Sequence, residues 1–151
     1  MAVAIPPKTT SGPDALSFVS ATRRTNGASQ TGRSFTDFAI NGHPLHPIIA
    51  NDNISVFGWG TRAIERTYAK ALIPTERSDS RAALYICGEC GDLGCGYFSV
   101  KVTLVDDCVV WSEPGWEDNL FREQTVTPFE GKWRDLWFDR VQYRTALGYY
   151  L

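Results

Sequence analysis

Between Ala82 and Glu113 three runs rich in Val, Tyr, Phe and Leu follow one another: "ALYIC", "YFSVKVTLV" and "CVVWSE". Branched and aromatic side chains of this kind suit the pleated, half-buried surface of a strand. A Cys/Gly turn joins the first run to the second, and an Asp106-Asp107 turn joins the second to the third. Links this short favour antiparallel neighbours, because a parallel crossover takes a dozen residues or more. The segment reads as an antiparallel meander around which the rest of the chain must fold.

Upstream, "ALSFVSAT" and "SFTDFAI" alternate apolar and polar residues at the period of a half-buried strand. The polar, Gly-containing "RRTNGASQTGR" between them makes the pair a hairpin with a long loop. Asn41-Gly42 favours a tight turn, since both residues tolerate positive φ. His43-Pro44 and His46-Pro47 then demote the chain to loop or edge strand. "NISVFGW" is a short strand candidate. Residues 1–13, with "PPKTTSGP", read as a loose arm, and 14–151 as one domain of a size that supports its own core.

Two helices are predicted. In "TRAIERTYAKAL" the residues Ile64, Tyr68, Ala71 and Leu72 form one apolar stripe, with Arg62, Glu65, Arg66 and Lys70 off it, and Pro74 stops the helix. Near the C-terminus Asp139 is a candidate N-cap, with Gln142 completing a capping box and Phe138 packing on Tyr143 as a staple. Gly148 is placed to end that helix. The expected fold class is α+β: an antiparallel β-sheet meander with two helices packed on it.

The formal net charge is -2 and no basic stripe is present, which disfavours a nucleic-acid partner. No apolar run approaches the ~20 residues of a membrane span, and the start has neither a basic n-region nor a long apolar h-region. The expectation is a cytoplasmic protein with no membrane partner, in which thiols stay reduced. Nucleophile-elbow, P-loop, zincin and dinucleotide motifs are missing, so catalysis is not expected.

Cys87, Cys90, Cys95 and Cys108 give the spacing C-x2-C-x4-C-x12-C. A C-x2-C corner supplies two of the four tetrahedral ligands that zinc requires, and Cys108 opens the next strand but one. Structural zinc is therefore the alternative to a chain without cofactor. Thioredoxin-like redox chemistry needs its C-x-x-C at a helix N-terminus, whereas here the pair runs from a strand into a glycine-rich loop. The bland reading is a tight corner, in which Cys packs as a small apolar residue and Gly accepts positive φ. His43 and His46 are the only histidines, and their proline-stiffened segment need not bring them together.

From Asp106 to Glu123 the chain is acidic, and "VVWSEPGWEDNLF" interleaves Trp111, Trp116 and Phe121 with carboxylates. Aromatic anchors ringed by charge suit a protein interface, while burial of both tryptophans is the competing account. The candidate contact residues are Asp107, Glu113, Trp116, Glu117 and Asp118, with Arg23 and Arg24 as the opposite-charge alternative.

"ALYICGECGDLGCGYFSVKV", "VVWSEPGWEDN" and "FDRVQY" together resemble a family of small bacterial proteins common in actinobacteria. These share a strand, a C-x-x-C-G-D-x-G-C-G turn, a V-x-W strand and an F-x-x-x-Q-Y element. The likeness covers roughly residues 34–147 and is carried by Cys87, Cys90, Gly91, Asp92, Gly94, Cys95, Gly96, Trp111 and Tyr143. Some members bear the label oxidoreductase, which implies a thiol-dependent enzyme as a further alternative. In general form the chain is also similar to immunity proteins of bacterial polymorphic toxin systems. That second resemblance implies a cognate toxin as partner and stoichiometric binding as activity.

Overall fold

A computed structural model of the chain describes residues 12–23, 32–49, 52–75, 80–89, 93–118 and 125–151. The expected arm, residues 1–13, falls outside these except for Gly12 and Pro13, as do most of the predicted long loop and the middle of the Cys/Gly turn. The described residues form strands β1 (Leu16–Arg23), β2 (Arg33–Ile40), β3 (His43–Pro44), β4 (Asn53–Ser55), β5 (Ser80–Cys87), β6 (Tyr97–Val105), β7 (Cys108–Asp118), β8 (Thr125–Pro128) and β9 (Leu136–Asp139). Helices are α1 (His46–Ile49), α2 (Arg62–Ala71) and α3 (Arg140–Leu147). The fold is α+β, with mostly antiparallel sheet.

The strands make two sheets rather than one. β1, β2 and β3 form the smaller, and β4-β5-β6-β7-β8 run in that order in the larger. β9 also pairs with β7, so the long β7 serves two partners: Gly115–Asp118 takes β8 and Cys108–Trp111 takes β9. Phe38 of β2 joins the layers, with its ring 5.9 Å from Tyr85 and 5.8 Å from Trp111. These rings, with Phe57, Phe98, Phe138 and Tyr143, are the buried centre of the molecule.

Turn chemistry sets the connections. Asn41 (φ 53) and Gly42 (φ 83) join Ile40 to its partner His43 as a two-residue hairpin, the geometry for which Asn-Gly is the preferred pair. Asp106 (φ 54) does similar work between β6 and β7. Gly58 is more constrained. Its φ is 92, and a Cβ there would stand 2.4 Å from the Thr36 hydroxyl and 2.5 Å from the Thr36 nitrogen. Gly58→Ala is expected to cost about 2–4 kcal/mol, from positive-φ strain together with overpacking. A shift in the urea midpoint reads that loss, and an unchanged midpoint would show that the close approach does not constrain the fold.

The helices keep their predicted places with altered faces. Thr61 caps α2 by accepting from the Ile64 N–H. Ile64 is nevertheless 40% exposed, while Glu65, Ala69 and Leu72 are buried. The buried stripe is rotated by one residue, about 100°, because the Glu65 carboxylate turns inward and accepts from the Gly58 N–H at 2.9 Å. Asp139 caps α3 through the Gln142 N–H at 3.0 Å, and Phe138 packs on Tyr143 with ring centroids 5.2 Å apart. The Gln142 side chain does not complete a capping box. It bonds both backbone groups of Leu16, at 3.1 and 2.7 Å, and ties α3 to β1. Gly148 ends α3 in right-handed geometry, not in the left-handed form that favours glycine.

β7 runs through Pro114, because Glu113 and Pro114 together oppose Val100 in a bulge. A bulge is where a strand accommodates proline without losing its ladder. Glu113 takes φ 49 there.

Candidate functional site

The bulge organises the charged face of the larger sheet. Arg81 and Lys101 lie opposite each other across β5 and β6, a like-charge pair that is unfavourable unless carboxylates intervene. β7 supplies them. The Lys101 ammonium stands 3.1 Å from the Glu113 carboxylate. Arg81 donates from Nε to the Ser99 hydroxyl at 2.9 Å, and from Nη2 to the carbonyls of Ser99 (3.1 Å) and Glu113 (2.6 Å). Its Nε also lies 3.9 Å from the Glu117 carboxylate, which is only 4% exposed. A deeply buried acidic side chain is tolerated where a cation stands beside it.

Two clefts flank this end of β7. One, of about 360 Å³, is lined by Asn53, Cys95, Gly96, Trp116, Glu117 and Asp118 among others. It brings the Cys/Gly corner and the acidic-aromatic stretch together. Trp116 is half-buried on Phe98 at 5.2 Å, edge to face. The other cleft, of about 440 Å³, is lined by Arg81, Glu113, Val126, Phe129 and Trp133, with Pro114 and Pro128.

Of the candidate contact residues, Trp116, Glu117 and Asp118 share the first cleft, and Glu113 stands in the second. Asp107 is exposed in the β6–β7 turn. β6 spans 9 residues, so at ~3.3 Å per residue its two ends stand roughly 26 Å apart, and Asp107 is at the far one. Arg23 is not a surface cation. Its side chain is 5% exposed, lies 3.2 Å from Glu89, and packs so closely on Gly88 that a Cβ there would sit 2.2 Å from Nη1. Arg24 lies outside the described residues. The two tryptophans divide: Trp111 is fully buried and Trp116 borders a cleft.

The same β6 distance separates the cysteines. Cys87 ends β5 beside the Ile86–Tyr97 pair, whereas Cys108 pairs with Val105. Zinc holds sulfur at about 2.3 Å, so no single ion reaches both thiols. Cys95 is exposed and disulfide-bonded, while Cys87 and Cys108 take no part in a disulfide. Cys90 lies outside the described residues. The four-cysteine centre, the alternative reading, would need Cys87 and Cys108 at one ion, and the length of β6 keeps them apart. A disulfide at Cys95 departs from the expectation of reduced thiols. Among the described residues no group of three or more His, Cys, Asp or Glu side chains converges as metal ligands do.

His43 is exposed on β3, and the His46 ring is committed to packing. It lies 4.9 Å from Phe35 and 5.6 Å from Tyr85, with Nε2 2.5 Å from the Asn53 carbonyl. Below it Asp37 is wholly buried, accepting from the Tyr85 hydroxyl at 2.6 Å and the His46 N–H at 2.9 Å. Burial pushes the Asp37 carboxyl up despite these donors, and burial next to Asp37 pushes the Tyr85 hydroxyl well up. The cluster ties α1 to β2 and β5, and it meets the 360 Å³ cleft only through Asn53.

Arg81, Phe129 and Trp133 were not singled out by the sequence reading. Arg81 heads an apolar strand, and a cation there signals a fixed carboxylate nearby. Trp133 and Phe129 lie in a stretch without periodicity, where local pattern carries no signal.

Comparison with known proteins finds no matching family model, no matching curated protein and no matching solved structure. Among the described residues no helix is long and apolar enough to cross a membrane.

Proposed function

We propose that this chain is an immunity protein, which neutralises a cognate bacterial toxin in the cytoplasm by one-to-one contact. The observation that carries the reading is the shared cleft of Trp116, Glu117 and Asp118 beside Cys95 and Gly96. An indole wall with the Asp118 carboxylate at its edge fits a Lys or Arg side chain, through ion pairing and cation–π contact. Glu113 and Asp107 lie outside that cleft and act as charges that steer a basic partner at short range. In this reading the partner is a protein, neither nucleic acid nor membrane. The chain works by occupancy, without catalysis or cofactor.

Asp118→Lys tests it, in cells that express the chain with the toxin encoded beside it. Reversal of charge at an interface centre is expected to cost about 2 kcal/mol, or roughly 30-fold in affinity. The variant should keep the wild-type circular dichroism spectrum, yet fail to co-elute with the toxin on gel filtration and fail to protect. Undiminished protection by the variant would remove the cleft from the interface. Continued killing at equimolar wild-type protein, with no complex, would remove the immunity reading itself.

A further inference from the structure

The 440 Å³ cleft lies within the roughly 300–1,000 Å³ range of small-molecule sites. Its walls are largely apolar, from Pro114, Val126, Pro128 and Phe129, with the indole of Trp133. Two of the residues that line this cleft carry a donor without a hydrogen bond among the described residues. The Trp133 Nε1–H is buried and makes no hydrogen bond among the described residues. Arg81 spends Nε and Nη2 on Ser99 and Glu113, which leaves Nη1 without a hydrogen bond among the described residues. The acceptors nearby are engaged, since the Glu113 carbonyl takes Arg81 and its carboxylate faces Lys101. The unmet demand is for an acceptor.

A buried indole N–H without a partner is destabilising, and a ligand oxygen placed there recovers that loss. Among acceptors, a carboxylate makes charge-assisted bonds to a guanidinium about twice as strong as neutral ones. Glu113 holds its wall of the cleft at φ 49, a left-handed conformation that is strained for a non-glycine residue. Strain of that kind clusters where a ligand is clamped.

We propose that this cleft binds a small apolar carboxylate, such as an aryl- or branched alkylcarboxylic acid. Its carboxylate takes Arg81 Nη1 and Trp133 Nε1, and its body lies against Phe129, Val126 and the two prolines. The site is separate from the Trp116–Asp118 cleft and does not depend on a protein partner.

Titration of ¹⁵N-labelled protein with 3-phenylpropanoate tests the site, with 3-phenylpropanamide as the neutral isostere. The indole N–H signal of Trp133, identified by its loss in Trp133→Phe or by through-bond assignment, should shift saturably with a Kd below about 1 mM. The amide should bind at least tenfold more weakly. Val126→Glu, at an exposed position on the rim, should leave the spectrum folded and weaken the acid tenfold or more. No movement of the Trp133 signal at about 10 mM acid overturns the proposal. Equal affinities for acid and amide overturn the role of Arg81, and an unaffected Val126→Glu overturns the location.

Discussion

Trp111→Ala is expected to lose about 3–5 kcal/mol of stability, a large share of what a domain of this size has to spare. The indole is fully buried. It lies 5.8 Å from Phe38 on the smaller sheet, 5.0 Å from Phe138 on β9 and 6.2 Å from Tyr143 on α3. Truncation opens a cavity that three separate elements would have to close at once. The polar link goes too: Trp111 Nε1 donates to the Tyr143 hydroxyl at 3.1 Å, and that hydroxyl donates to the Leu72 carbonyl at 2.7 Å. Burial drives the Tyr143 hydroxyl far above its ordinary range, so it stays a neutral donor. Trp111→Phe keeps most of the volume and loses the hydrogen bond, so it should cost about 1–2 kcal/mol. Urea unfolding followed by far-ultraviolet circular dichroism separates the two variants. A loss under 1 kcal/mol in Trp111→Ala would mean that the layers do not meet at this ring.

Asp14→Ala is the second large effect, and it should depend on pH. The carboxylate is buried and accepts from Asn41 Nδ2 at 2.7 Å, from the Trp137 N–H at 3.0 Å, and from both terminal nitrogens of Arg134 at 3.1 Å. Burial alone would raise its pKa. The bonds from Arg134, Asn41 and Trp137 outweigh that and hold it below the ordinary 3.8. A group lowered on folding contributes stability that is present above its unfolded pKa and lost as pH falls through the folded one. The variant should therefore be weaker by about 3 kcal/mol at pH 7, at the low end for a broken buried pair because Arg134 is partly exposed. Its deficit should narrow as pH drops below about 4, where wild-type Asp14 also gains a proton. Asp37 acts in the opposite sense: its pKa is raised, so its contribution grows as pH falls, and it is common to both proteins. An equal deficit at pH 7 and pH 3 would show that Asp14 acts by packing and not through its charge.

Much of this fold is written in local pattern. The alternation in "SFTDFAI", the Asn41-Gly42 pair, the Thr61 and Asp139 caps and the three runs after Ala82 all occur as elements where they were expected. Each depends on neighbours a few residues away, through pleat, turn dihedral or capping hydrogen bond. The contact residues were less legible. Trp116, Glu117 and Asp118 share a cleft because a bulge at Glu113-Pro114 resets the register, and nothing within the stretch announces that.

The sequence by itself determined which segments become strand, turn and helix, since those choices are made by backbone sterics and side-chain periodicity at short range. Only the tertiary structure decided which charges are buried and which thiols are neighbours. Asp14 is stabilised by an arginine 120 positions away, and Glu117 by one from a strand that is not its neighbour. Cys87 and Cys108, close in the chain, stand at opposite ends of one strand. The reason is physical: burying a charge is costly until its partner arrives, and strand pairing sets which partner does.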